Sequence, residues 1–488
     1  MFERIPEQAE ADLDREAFND AQENLRLRLI TAQQDLADSG HNLIVVICGD
    51  DRPGKNRLIN QLREWLDPRG LDIHSLDEDL DPEGQRPPHW RYWQRMPAYG
   101  KVAIFYRSWV EDAFDALLSR RHRHQDFRRN LQHCRDFERH LAQDRSHLVK
   151  FFVHLPDRAQ ERRIKKARKR PEKHYRFHPR DIDLYRYYRD GRGVIAEALE
   201  ATDTAEAPWH MLDSRRRRTS QLSAAESILT AMQAACAKQP QATASYRQAA
   251  IPDRLATIDL QQAIAEDAYG HQLREVQVAL NRLTFAAHER NIASVFVFEG
   301  VDAAGKGGAI KRLCSAVSAE LYEIVPIGAP TPDELNHHYL WRFWHQIPQP
   351  GAMKIFDRSW YGRVLVERVE GFCSTADWQR AYEEINEFEQ QLVDHGIVVE
   401  KFWLHIDQDE QLERFRAREA TPHKRHKITD EDYRNRNKWP RYRDAANEML
   451  LRTDRSQAPW HLIPANDKKL ARVLVLQRIR DALDRALG

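Results

Sequence analysis

Apolar residues along this chain gather into short runs separated by longer stretches of helical spacing. Six runs rich in Val, Ile, Leu and Phe, at 43–48, 102–106, 150–155, 293–298, 353–356 and 400–406, have the length and side-chain character of buried strands. Polar stretches with helical periodicity precede the first and fourth of these runs, at 9–37 and 260–289. Strands alternating with helices predict an α/β fold built on a parallel sheet flanked by helices. Ligands of such sheets bind at the carboxyl ends of the strands.

The pattern is written twice, at a constant offset of 251 residues. Gly49 to Lys55 match Gly300 to Lys306, and Trp90-Arg91-Tyr92-Trp93 match Trp341-Arg342-Phe343-Trp344. Arg107-Ser108-Trp109 match Arg358-Ser359-Trp360, Lys150-Phe151 match Lys401-Phe402, and Ala207-Pro208-Trp209-His210 match Ala458-Pro459-Trp460-His461. A register held through so many tryptophans implies two copies of one fold. The small, polar stretch 236–250 reads as the linker between them, giving domains at 1–235 and 251–488.

Chemistry concentrates in the second copy. The apolar run ending at Phe298 leads into Glu299-Gly300-Val301-Asp302-Ala303-Ala304-Gly305-Lys306-Gly307-Gly308, followed by Ala309, Ile310, Leu313 and Val317 at helical spacing, with the helix expected to open at Gly307. Strand, glycine-rich loop and helix form the layout of a phosphate cradle. Gly300, Gly305, Gly307 and Gly308 let backbone N–H groups approach phosphate oxygens, and Lys306 reaches a terminal phosphate. The common hydroxyl after the lysine is replaced by Gly307, so a metal ligand is expected elsewhere, with Asp302 nearest.

Asp357 ends the run 353–356 and is followed by Arg358. Phosphate-loop enzymes keep a second carboxylate at this place for Mg²⁺, so Asp302 and Asp357 are the expected metal ligands, while Arg358 aims positive charge at the same oxygens. A basic stretch from Glu413 to Arg443, interrupted at Thr421-Pro422-His423, has the form of a lid over an anionic substrate, with Arg414, Arg418, Lys424, Arg425 and Lys427 as its cations. Asp430, Glu431 and Asp432 suit the first turn of the next helix.

The first copy retains Gly49, Asp51, Gly54 and Lys55 but carries Tyr106 in place of Asp357 and Asn56 in place of Gly307. A phenol is neutral at pH 7 and a poor Mg²⁺ ligand, so this copy is expected to be catalytically impaired. Its basic segment from Arg162 to Lys173 leaves two roles open, polyanion binding or a purely structural half.

Bulk composition narrows the class. Net charge is +1 although 31% of residues are charged, so a polyanion site requires local segregation of charge. The five cysteines are dispersed, without a CxxC pair, which favours a reducing cytoplasm and disfavours structural zinc. Residues 1–7 have no apolar signal-peptide core, and no apolar run approaches membrane-spanning length. The histidine pairs His337-His338 and His423 with His426 lack HExxH spacing, and the arginine run 215–218 is too short to argue for nucleic acid. Trp341, Trp344 and Trp360 read as packing residues, with base stacking as the other role open to them.

The phosphate loop, Asp357-Arg358-Ser359-Trp360-Tyr361-Gly362-Arg363 through Glu367, and the basic lid ending at Trp439 together resemble the polyphosphate kinase 2 family. The resemblance spans residues 260–465, and the duplicated layout looks like the family's fused subgroup. It implies a P-loop kinase-like fold in each copy, inorganic polyphosphate as donor, AMP as acceptor and ADP as product, with Mg²⁺ as cofactor and activity in the second copy. By the same resemblance, Asp302 and Asp357 hold Mg²⁺, Lys306 and Arg358 contact the transferring phosphates, and Arg363 and Glu367 belong to the pattern as nucleotide-contact candidates. No nucleic-acid or membrane partner is expected, and a homo-oligomer is compatible with the reading. The alternatives are an ADP-to-ATP polyphosphate kinase, an ATP-dependent nucleotide kinase and, in another class, a polyphosphate- or nucleotide-binding sensor.

Overall fold

A computed structural model describes residues 1–5, 11–76, 84–169, 180–237, 251–422 and 430–488. The chain forms two compact units, one of Met1–Glu83, Pro88–Pro240 and Thr331–Trp341, the other of Gly84–Pro87, Gln241–Pro330 and Arg342–Gly488. Most of the expected linker, from 238 onward, lies outside the described residues.

The first unit contains strands β1 (Asn42–Cys48), β2 (Leu71–His74), β3 (Val102–Phe105), β4 (Ser146–His154) and β5 (Trp209–Asp213), paired in the order β2-β3-β1-β4-β5. The second contains β6 (Ser294–Gly300), β7 (Tyr322–Pro326), β8 (Met353–Asp357), β9 (Val398–His405) and β10 (Trp460–Pro464), and its order β7-β8-β6-β9-β10 repeats that of the first. Every pairing in both sheets is parallel. Central strand β1 is buried along its whole length and β6 up to Gly300, as a sheet covered on both faces requires.

All six strands read from apolar runs form, each shifted at its ends by no more than four residues. Each sheet gains two edge strands that the runs did not reveal. Edge strand β7 is largely exposed and β2 only half-buried, and neither carries a continuous apolar run, so their pairing is decided by the neighbouring strand. The two polar helices appear as Arg15–Ser39 and Glu266–Glu289, packed against Arg217–Ala237 and Lys468–Leu487 respectively. The opposite faces are covered by His124–Asp144 and Thr375–Asp394.

The repeated tryptophans and lysines have a structural explanation. Lys401 on β9 is fully buried, and its ammonium donates to Glu389 Oε2 at 2.6 Å and to the Thr453 carbonyl at 2.8 Å. Trp360 Nε1 donates to the other Glu389 oxygen and Trp460 Nε1 to Thr453 Oγ1. Lys150, Glu138, Thr202, Trp109 and Trp209 reproduce this network in the first copy, with Lys150 Nζ 2.6 Å from Glu138 and 2.7 Å from the Thr202 carbonyl. Each buried charge has its partner and each indole N–H its acceptor, which is the condition for tolerating them in a core. Trp344 and Trp360 are accordingly core residues, in edge-on contact with Phe388.

Candidate active site

Strand β6 delivers the chain into the phosphate loop at Gly300, where φ is 141° and a Cβ would stand 2.2 Å from the Leu404 carbonyl oxygen. Only glycine fits there. Gly305, with φ 112°, caps the helix Lys306–Cys314, which starts one residue before the expected Gly307 and ends three before Val317. Ala303 also takes a positive φ, 62°. A Cβ on Gly307 would meet open space, so the first turn leaves room for a ligand to approach its backbone.

Lys306 Nζ donates to the Gly300 carbonyl at 2.7 Å and approaches that of Val301 at 3.4 Å. Burial pulls its pKa below the ordinary lysine value, and the fields of Asp302, Asp357 and Glu299 oppose that shift while Arg358 adds to it. One ammonium thus sits in the field of three carboxylates. Glu299, buried at the end of β6, accepts a hydrogen bond from Ser359 Oγ at 2.8 Å, and desolvation raises its pKa.

Asp357 ends β8 in register with Phe298 of β6 and Pro326 of β7. Arg358 follows in a positive-φ turn (65°), with its N–H on the Phe298 carbonyl, and its guanidinium donates to Asp302 Oδ1 at 3.1 Å. Asn435 Nδ2 holds the other Asp302 oxygen at 3.0 Å, and Gln411 Nε2 holds the Asp302 carbonyl at 3.0 Å. A cleft opens beside this group, lined among others by Asp302, Arg358, Gly362, Asn435, Trp439 and Tyr442. Its aromatic wall suits a ligand with a planar ring, such as a nucleotide base.

Oxygen donors at Asp302 and Asp357 fit a hard cation, and Mg²⁺ is characteristically held by one or two carboxylates together with substrate phosphates. Among the described residues there is no group of three or more His, Cys, Asp or Glu able to cage a metal.

The lid cations separate into distinct groups. Lys424, Arg425 and Lys427 lie outside the described residues. Arg414 differs from its expected role. It is buried, Nη1 donates to the carbonyls of Ala303 and Ala304 at 2.9 Å each, Nη2 donates to those of Ala465 and Asn466 at 2.6 and 2.9 Å, and Nε pairs with Glu410. A guanidinium has five N–H donors, and here all five are taken by the protein, so Arg414 braces the phosphate loop and has none left for a substrate. Arg418, one turn on in the helix Gln408–Glu419, is partly exposed. Beyond the undescribed stretch, the helix opens at Asp430, and Lys438 ties it to Glu370 at 2.6 Å. Arg363 and Glu367 pair with each other at 3.2 Å, and Glu367 lies 3.9 Å from where a Cβ on cleft-lining Gly362 would be.

Asn435, Gln411 and Tyr442 were not singled out by the sequence, and Glu299 was read only as the start of the loop stretch, without a role. One signal was present for Gln411: Gln160 stands 251 residues earlier and also holds a carbonyl of its loop, that of Asp50 at 3.3 Å, one residue before the counterpart of Asp302.

In the first copy the same elements neutralise one another. Glu111, where the second copy has Gly362, lies 3.8 Å from Lys55 Nζ, and the Tyr106 ring lies under that ammonium at 4.6 Å from its centroid. Burial lowers the Lys55 pKa, but Glu111 and Tyr106 outweigh it and the net shift is upward, opposite to Lys306. Asp51 is held by Arg163 and Ser214, and Arg107 pairs with Asp115.

Comparison with known proteins adds an independent line. The family model described as polyphosphate kinase 2 (PPK2) matches residues 12–240 and 263–487. A polyphosphate:AMP phosphotransferase of Pseudomonas syringae pv. tomato is 41% identical over 483 residues, covering 98% of this chain and 97% of its own. One from Pseudomonas aeruginosa is 40% identical over 481 residues, covering 97% of each chain. The crystal structure of a polyphosphate kinase 2 from Pseudomonas aeruginosa PA01 superposes with a TM-score of 0.88 at 40% identity, over 100% of this chain and 99% of that one.

Proposed function

This chain belongs to the polyphosphate kinase 2 family, and from that premise we propose that its second copy, within 251–488, transfers the terminal phosphoryl group of inorganic polyphosphate to AMP, giving ADP. The observation that carries the reading is the grouping of Lys306 with Asp302, Asp357 and Arg358, of which Asp302 and Arg358 line the cleft, set against a first copy, within 1–235, whose matching lysine is already paired. The near full-length relatives named as polyphosphate:AMP phosphotransferases support AMP as acceptor.

An AMP phosphate oxygen attacks the terminal phosphorus of polyphosphate in line. The bridging P–O bond to the next phosphate breaks, and the chain leaves one unit shorter with its electron pair on oxygen. The attacking oxygen is already ionised at neutral pH, so no general base and no covalent enzyme intermediate are needed, and positioning with charge stabilisation suffices. Lys306 exchanges its loop carbonyls for phosphate oxygens. Arg358, half exposed and hinged on a positive-φ turn, turns from Asp302 toward the transferring group. Trp439 and Tyr442 wall the cleft and keep water from competing as acceptor. Asp302 and Asp357 would hold Mg²⁺, which would neutralise charge on the phosphate oxygens. The five free cysteines and the lack, among the described residues, of any helix long and apolar enough to cross a membrane accord with a cytoplasmic enzyme.

Purified protein with Mg²⁺ and polyphosphate, offered AMP, ADP and GMP separately with products resolved by ion exchange, tests the reading. ADP formed from AMP is the expected result. Turnover with ADP alone would overturn it, and binding without any turnover would point to a sensor.

A further inference from the structure

One acid gathers the two helices that follow the basic stretch, Asp430–Asn437 and Trp439–Thr453. Glu370 ends the short helix Val366–Glu370, and its side chain is only 5% exposed. Lys438, at the junction of the two helices, donates to Oε2 at 2.6 Å, and Arg434 Nε stands 3.6 Å from the same oxygen. The Tyr442 hydroxyl lies 3.4 Å from Glu370 Oε1 and 3.2 Å from Asn435 Oδ1. A carboxylate is tolerated at such burial where charged donors converge on it, and those hydrogen bonds are the strong ones.

Each of these contacts adjoins the site. Asn435 holds Asp302 Oδ2 at 3.0 Å, Trp439 follows Lys438 in the chain, and Asn435, Trp439 and Tyr442 all line the cleft, whereas Glu370 is not among its lining residues. Glu370 therefore fixes one wall of the cleft and one tether of the phosphate loop without facing a ligand itself. The first copy lacks this hub: Ser119, Asp183, Leu184, Tyr187 and Gly191 stand where the second has Glu370, Arg434, Asn435, Lys438 and Tyr442. Its helix Arg180–Asp190 is fastened instead by the Tyr187 hydroxyl on Asp115 at 2.8 Å and the Tyr188 hydroxyl on Glu111 at 2.6 Å. An acid hub confined to the copy that keeps Asp357 serves the work of that copy, since the shared fold forms without it.

We propose that Glu370 is a positioning residue for the acceptor: it sets Lys438, Tyr442 and Asn435, and through them the aromatic wall that takes the acceptor's base and the orientation of Asp302. The proposal deepens the AMP reading above and rests on it for the identity of the acceptor. Without the carboxylate, the Lys438 ammonium and the Tyr442 hydroxyl lose their common acceptor, and the two helices leave the geometry that shapes the cleft.

The test is steady-state kinetics of the full chain carrying Glu370→Gln, Lys438→Gln or both. For Glu370→Gln, KM for AMP should rise about tenfold, the loss of one charge-assisted hydrogen bond. KM for polyphosphate should stay within about twofold, and kcat within about threefold, as for a group that touches no reacting atom. Lys438→Gln should raise KM for AMP by a similar factor, and the double variant no further, because both single changes break the same contact. Hydrogen exchange adds a readout that needs no turnover: amides within 433–442 should exchange about tenfold faster in either single variant, while those of the adjoining helix Thr375–Asp394 keep their rates. An unchanged KM for AMP, an equal rise for both substrates, or faster exchange spread over both segments would overturn the positioning role. If the wild-type protein turns over no acceptor, the functional reading fails by itself, and exchange still decides the role of Glu370: quickening confined to 433–442 supports it, and any other pattern removes it. Lys438, partly exposed, carries both measurements should Glu370→Gln fold poorly.

Discussion

Arg358 donates to Asp302 at 3.1 Å, while its counterpart in the first copy, Arg107, is turned onto Asp115. The same strand-end arginine, at positive φ in both copies, therefore faces the phosphate loop in only one of them. This difference, with Asp357 replaced by Tyr106, sets the first expectation. Lys306→Ala and Asp357→Asn should each lower kcat by at least 10²- to 10³-fold, in line with removing one preorganised charge contact. Lys55→Ala should retain most activity. A matched pair of rate measurements checks this, and an equal loss at Lys55 would refute the assignment of activity to the second copy.

Arg414 is bound by four backbone carbonyls and Glu410, so its loss leaves buried acceptors unsatisfied next to Ala303 and Ala304. Arg414→Ala should cost on the order of 2–4 kcal/mol, read as a fall of about 5–10 °C in Tm. Arg414→Lys, with a single nitrogen in place of a planar fork, should recover only part of it. Arg418→Ala should leave Tm almost unchanged. Thermal melts of the three variants distinguish a brace from a substrate ligand.

Lys401→Met would strand the Glu389 carboxylate, and Lys150→Met would strand Glu138. Each should destabilise by about 3–5 kcal/mol, the usual consequence of breaking one side of a buried pair. Replacing Lys401 and Glu389 together by apolar residues of similar size should recover much of the loss. Chemical denaturation of the single and double variants measures the coupling.

His405 is buried at the end of β9, and desolvation, reinforced by Arg443 and opposed by Asp253 and Asp407, lowers its pKa to about 4. The unfolded chain takes up that proton near the ordinary value of 6.5, and the folded chain does so only near 4. Above pH 6.5 the group is neutral in both states and favours neither. As pH falls from 6.5 toward 4, the unfolded state gains protons first and stability is lost, by about 2 kcal/mol at pH 5. The difference in unfolding free energy between pH 7 and pH 5 should shrink by that amount in His405→Gln.

Much of the candidate site was legible because it is contiguous. A strand, four glycines, an acid and a lysine within 300–308 state their backbone requirements directly, and Gly300 meets the Leu404 carbonyl in the way such a loop demands. The parts that were not legible come from far along the chain. Asn435 reaches Asp302 across 133 residues and Gln411 across 109, and no local spacing announces either contact. The edge strands β2 and β7 escaped for another reason: positions that are only partly buried or exposed need no continuous apolar run, and their pairing comes from the neighbouring strand.

The sequence by itself determined the duplication, the phosphate loop and the asymmetry between Asp357 and Tyr106, because these depend on which residue occupies a position whose backbone is specified locally. Only the tertiary structure decided which of the many charges are available to a substrate. Arg414 and Arg418 are one turn apart and indistinguishable by composition, yet one has every donor bound by the protein and the other, among the described residues, has no ion pair. Charge is a property of the residue, whereas its pairing is set by the distances between elements that meet only when the chain has folded.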